Sequence, residues 1–200
     1  SNLGLASTSV AYKSFLAGNL TYVPFTPTGS FESIATYTVG AGGSSNISFT
    51  SIPQTYTHLQ IRWVCRISAP TTDENLQLQV GNSSIDSGSN YSLHYVFANG
   101  SSVSAGYTAN STGANLGRLT GSSATTGIFG VGVIDILDYT STKYKTFRGL
   151  SGHDENGSGT EWVASGSWRN TSAIDTIQLN QLYGSGNFIQ YSSFALYGVK

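Results

Sequence analysis

Residues Thr57–Ile67 read "THLQIRWVCRI". Leu59, Ile61, Trp63, Cys65 and Ile67 fall in one phase of a period of two, and His58, Gln60, Arg62 and Arg66 fall in the other. Side chains alternate between the two faces of a pleated strand, so this pattern describes a strand with one face in a core. The same reading extends in both directions. "ESIATYTV" (32–39) and "NISFTSI" (46–52) bracket the turn-forming "GAGG". "NLQLQV" (75–80) turns Leu76, Leu78 and Val80 inward, and "YSLHYVF" (91–97) places Tyr91, Leu93, Tyr95 and Phe97 on one face. "IFGVGVIDILDY" (128–139) is apolar in both phases, which predicts a central strand or one whose outer face meets a partner. Strand patterns continue through "KYKTFRGLSG", "TEWVASGSW", "AIDTIQLNQL" and "YSSFALYGV". Ala98–Gly127 reads as a polar stretch, interrupted by Leu116 and Leu119 around Arg118. Many short strands separated by turns predict an all-β fold, an antiparallel, jelly-roll-like β-sandwich over residues 31–200. The expected core includes Leu59, Ile61, Trp63, Leu78, Phe97, Val131, Val133 and Phe194.

Composition agrees. Charged residues make up 10% of the 200, against about a quarter in an average soluble domain. Hydroxyl residues, glycine and aromatics fill the difference, which suits pleated sheet and tight turns better than helix. A net charge of −1 carries no electrostatic footprint for nucleic acid. No apolar run approaches the ~20 residues of a membrane-spanning helix. The opening residues lack a basic stretch followed by an apolar one, so no secretory leader is expected. Cys65 is the single cysteine, which excludes intrachain disulfides and a cysteine-rich metal site. Its place in the apolar phase makes it a small buried hydrophobe.

Residues 1–30 are different. They show neither a helical stripe nor strict alternation, yet Leu3, Leu5, Tyr12, Phe15, Leu16, Tyr22, Val23 and Phe25 make them strongly apolar. Disordered tails are poor in aromatics. Pro24 and Pro27 favour extended backbone. The segment reads as an extended N-terminal arm that needs a surface, either on its own domain or on a neighbouring subunit.

Candidate chemistry is sparse. "GHDENGSGTEW" (152–162) gathers His153, Asp154, Glu155 and Glu161, the residue types of a metal or acid–base site. It also contains Asn156-Gly157, the pair best suited to the positive φ angles of a hairpin turn. A glycine-rich turn does not supply the rigid second shell that metal ligands require, so these residues are read as a hairpin loop. Asp135 and Asp138 are three apart along a strand and point to opposite faces, unlike the paired carboxylates of a glycosidase. The former reads as paired or near an edge, and the latter as the start of a turn. His58 and His94 fall in outward phases. No nucleophile elbow or phosphate loop occurs in its required strand–helix context. No enzymatic activity, cofactor or metal is expected.

Three segments resemble a known group. "ESIATYTVGAGGSSNISFTSIPQTYTHLQIR", "IDILDYTSTKYKTFRGLSG" and the terminal "YSSFALYGVK" are similar to segments of tailed-bacteriophage virion structural proteins, and the likeness covers residues 31–200. That group includes capsid decoration or cement proteins as well as tail and fibre components. Some members resemble the trimeric cement β-sandwiches of cyanobacterial phages. The resemblance implies a virion role and leaves the position on the particle open. The role expected here is a homotrimeric decoration or cement protein on the outer capsid surface, bound to the major capsid protein, with residues 1–30 as the attachment segment. The other reading is a receptor- or carbohydrate-binding module of a tail fibre, for which Trp162 and Trp168 would be sugar-stacking candidates if exposed.

Overall fold

The computed structural model describes residues 30–200 apart from Ser185, together with the backbone of two strands in the N-terminal segment. The chain divides into two units, Ser1–Ser30 and Phe31–Lys200. In the first, β1 (Val10–Leu16) and β2 (Asn19–Phe25) pair antiparallel, with Val10 opposite Phe25 and Leu16 opposite Asn19. Strict alternation is missing there, but β-branched and aromatic residues favour strand geometry without it.

The second unit is an all-β sandwich of two antiparallel sheets. Eight strands form the larger sheet. Across it lie β3 (Phe31–Thr38), β15 (Ser193–Val199), β5 (His58–Cys65), β11 (Gly130–Leu137), β12 (Lys145–Asp154), β13 (Gly159–Trp168), β8 (Tyr91–Ala98) and β9 (Val103–Ser111). The smaller sheet runs β10 (Ala114–Thr120), β6 (Asp73–Asn82), β14 (Thr176–Gln181) and β4 (Asn46–Phe49), with the short β7 (Ser84–Ile85) on β6. The polar stretch 98–127 thus contains two strands, β9 and β10. Its few apolar residues hid them, because β9 is an edge strand with mostly exposed side chains.

The alternation in β5 is borne out: Leu59, Ile61 and Cys65 are fully buried and Trp63 nearly so. Leu76, Leu78 and Val80 face inward from β6, and Phe194 from β15. Phe97 is only partly buried but packs on the core. In β11 the expected phase is reversed. Val131 is 52% exposed and Val133 half-buried, whereas Ile134 and Ile136 are fully buried. The cause is Gly132, which shares the inward phase and lies opposite Trp63. A Cβ on Gly132 would sit 2.1 Å from the indole ring. The inner face therefore sets two small residues between two indoles along a cross-strand row, Trp63–Gly132–Ser151–Trp162.

That row opens a trough for the second sheet. Gly149, opposite Ile134, would carry its Cβ 1.9 Å from the Leu116 carbonyl oxygen, so β10 passes with its backbone against β12. Gly117 of β10 meets the same Trp63 ring, at 2.7 Å from an ideal Cβ.

Trp63→Ala should destabilise the fold by about 3–5 kcal/mol through the lost indole and its cavity. Gly132→Ala should cost about 1–3 kcal/mol by overpacking. In the double variant the added methyl occupies space the indole has left, so the penalties fall short of additivity. Urea denaturation of the four proteins measures this.

Candidate interaction surfaces

The β12–β13 hairpin turns at Glu155–Ser158, with Asn156 (φ 58) and Gly157 (φ 110) in the left-handed region. The turn expected there forms, but His153 and Asp154 are strand residues rather than loop residues. The His153 imidazole is fully buried, with Nε2 3.1 Å from Glu155 Oε1 and Nδ1 3.3 Å from Thr160 Oγ1. Glu155 Oε2 accepts the Thr125 N–H at 2.8 Å and its hydroxyl at 3.0 Å. The Thr125 carbonyl in turn accepts from Arg66 Nη1 at 2.9 Å. Asp154 caps the turn by accepting the Asn156 N–H at 2.7 Å.

Arg66 was expected to face outward, but it is 7% exposed. Beyond the end of β5 the chain carries it beneath the 121–129 loop. There its guanidinium also donates to the carbonyls of Ser122, Ala124 and Ile128. Arginine's planar fork carries five N–H donors and so serves four carbonyls at once, more than the three donors of a lysine can reach. One network, Thr160–His153–Glu155–Thr125–Arg66, therefore ties the loop between β10 and β11 to the β12–β13 hairpin. It joins two loops rather than aiming a nucleophile or base into a cleft. Among the described residues, no group of three or more His, Cys, Asp or Glu side chains converges as a metal site would require.

The other singled-out residues are scattered. Asp135 accepts from Gln60 Nε2 at 2.7 Å on the outer face of the large sheet. Asp138 (φ 48) opens the turn after β11 and pairs with Lys143 at 2.7 Å. His58 Nδ1 accepts the Asp138 N–H at 3.0 Å, and His94 stacks on Tyr107. Burial pushes the Cys65 thiol pKa up, as befits an inert packing residue. Lys145 is fully buried, a feature its sequence context concealed. Its Nζ donates to the carbonyls of Ser141 and Lys143, both at 2.7 Å, and so closes the turn before β12. Trp162 and Trp168 are 4% and 1% exposed; the first stacks on Tyr95 and the second donates to Asp86 Oδ2 at 2.7 Å. Neither presents a ring face to a sugar. Of the arm residues, Leu3 and Leu5 lie outside the described residues. So do the side chains of Tyr12, Phe15, Leu16, Tyr22, Val23 and Phe25, whose strands are described by backbone pairing alone.

Among the described residues, an organised surface lies on the outer face of the eight-stranded sheet. Val133 of β11, Leu150 of β12, Val163 of β13 and Val96 of β8 stand directly opposite one another in successive strand pairs. Val64 and Val131 form an adjoining pair. Val64, Val96, Val131, Leu150 and Val163 are each close to half exposed. A polar row borders this band: Gln60, Asp135, Arg148, Ser165, His94 and Tyr107. Scattered exposed apolar residues are ordinary, whereas a contiguous band marks a candidate contact surface. The two-sided apolar pattern of "IFGVGVIDIL" announced the β11 portion. The rest was illegible, because Val64, Val96 and Val163 each sit alone in the polar phase of their own strand.

The hairpin network has a pH signature. Hydrogen bonds from the Thr125 N–H and hydroxyl, with His153 alongside, hold the Glu155 carboxyl below its ordinary value of 4.5. The folded state thus favours the carboxylate. Its contribution is present above the ordinary value and is lost as pH falls through the lowered one. Glu155→Gln should remove this part of the acid sensitivity. Hydrogen exchange of residues 122–128 at neutral and acidic pH, in both proteins, checks it.

No protein-family model matches the chain, and no curated protein is similar to it in sequence.

Proposed function

We propose that the protein is a structural component of a tailed-bacteriophage virion, a decoration or cement protein on the outer surface of the head. It would bind the major capsid protein and further copies of itself, as a homotrimer. The observation that carries this reading is the apolar band across the outer face of the large sheet. A protein that braces a shell needs a broad, flat contact and repeated copies rather than a catalytic cleft, and linked copies multiply weak contacts into a slow release. The likeness of "IDILDYTSTKYKTFRGLSG" and the two other segments to virion proteins supports the same role. The fibre-module reading draws less support, since Trp162 and Trp168 are buried.

Mass spectrometry of purified particles, with and without tails, tests the location. A head protein persists in tailless particles at high copy number, and a fibre module disappears with the tails. The double substitution Leu150→Lys/Val163→Lys tests the surface. Burying the exposed half of each side chain is worth about 1 kcal/mol, so loss of both should weaken capsid binding or self-association roughly 30-fold.

Residues 1–30 are assigned the anchoring role. Apolar side chains such as Tyr12, Phe15, Tyr22 and Phe25 would each contribute roughly 1.5–3 kcal/mol on burial, before the cost of ordering the segment. Deletion of Ser1–Thr28 should leave a folded sandwich that no longer decorates bare capsids in a sedimentation assay. Unchanged decoration would move the contact onto the sandwich itself.

A further inference from the structure

The two edges of the large sheet are built differently. At one edge, β3 carries Glu32, which is ion-paired with Lys200 and accepts from the Tyr56 hydroxyl at 3.0 Å. Its pairing with β15 is also broken by a register shift at Leu196/Tyr197. Charge and irregularity are what keep an edge strand from pairing with another chain. The other edge, β9, reads "VSAGYTANS" and has no charged residue and no proline. Its own register shift with β8, with Asn110 at φ 54, is confined to the end beyond Thr108; from Val103 to Thr108 the pairing runs unbroken, and the other side meets no strand among the described residues. Val103 and Tyr107, 74% and 70% exposed, are among the most exposed apolar side chains described, and both lie on the outer face. An open, neutral, regular edge of this kind is a template for strand addition.

We propose that β9 pairs antiparallel with β9 of a second copy about a twofold axis centred on Ala105. The strand is complementary to itself in that register alone. Ala105 then faces the partner's Ala105, Ser104 faces the partner's Gly106, and Val103 faces the partner's Tyr107, with the reciprocal pair beside it. Small residues at the centre let the backbones approach. Two β-branched–aromatic pairs, a favourable cross-strand combination, close over them. Centring one residue to either side loses both pairs. A twofold axis perpendicular to the sheet keeps both outer faces on the same side. The apolar row Val133–Leu150–Val163–Val96, which ends at Ala105 of β9, then runs on into the partner. A threefold axis cannot set β9 against β9. In a trimer this contact therefore joins one trimer to the next, and it holds whether or not the protein belongs to a capsid.

Cysteine placement tests the register in the full-length protein. Cys65 is fully buried, so only an introduced thiol is available. Under mild oxidation, Ala105→Cys should give a covalent dimer on a denaturing gel, because facing residues of an antiparallel pair lie within disulfide reach. Val103→Cys alone should not, and Val103→Cys/Tyr107→Cys should. Val103→Lys/Tyr107→Lys should abolish the association seen by light scattering, and Val103→Lys/Tyr107→Glu should restore it. Circular dichroism confirms that each variant folds. The proposal is overturned if folded Ala105→Cys protein stays uncrosslinked, or if Val103→Cys crosslinks as readily. It is equally overturned if the β9 amides that point away from β8 exchange slowly in a monomer, which would mean that the chain covers its own edge.

Discussion

The sandwich depends on the space that one indole occupies. Trp63 projects from β5 into a place where Gly132 of β11 and Gly117 of β10 have no side chains. One glycine belongs to each sheet, so a single ring locks the two layers together and leaves neither able to carry a Cβ there. The consequences spread along the cross-strand row. Ser151 follows Gly132 and Trp162 closes the row, so two indoles on β5 and β13 flank a gap over β11 and β12. Gly149 then lets the backbone of β10 settle into the trough. Close packing of this kind ties interlayer distance to residue size, and one added methyl is felt across the interface.

The same constraint shapes the outside. Because Gly132 takes the inward phase of β11, Val131 and Val133 face out, where they join Leu150, Val163 and Val96 in one band. The interior need for space and the exterior apolar surface are two sides of one strand. The loops above the sheet are organised by polar means. Arg66 gathers carbonyls of the 121–129 loop, and Glu155 receives Thr125 from it. The hairpin that held the most chemically suggestive residues is thereby a structural clamp. Its histidine is buried against its own carboxylate rather than presented to a ligand.

Much was legible from the amino-acid order alone. The inward phase of "THLQIRWVCRI", the inward leucines of "NLQLQV", the Asn156-Gly157 turn and the all-β class all followed from it. These are local properties: a period of two, a residue tolerant of positive φ, a composition suited to pleated sheet. Where both phases of a strand are apolar, as in β11, periodicity cannot choose between them. The choice fell to Trp63, 69 positions away along the sequence. Arg66 and His153 went astray for a related reason. Each lies at the end of a strand, where alternation stops and the path of another loop decides what is covered.

Local amino-acid order is enough to make strands of this chain and to set which face of most of them is apolar, since a side chain's direction along a strand depends on its immediate neighbours. Which strands lie side by side, and in what register, is settled by the packing of distant segments. Val64, Val96 and Val163 are isolated residues until pairing lines them up, and β9 is an edge because no strand among the described residues follows it in the sheet. Pairing between distant segments is a property of the whole packed core, and so are the surfaces it creates.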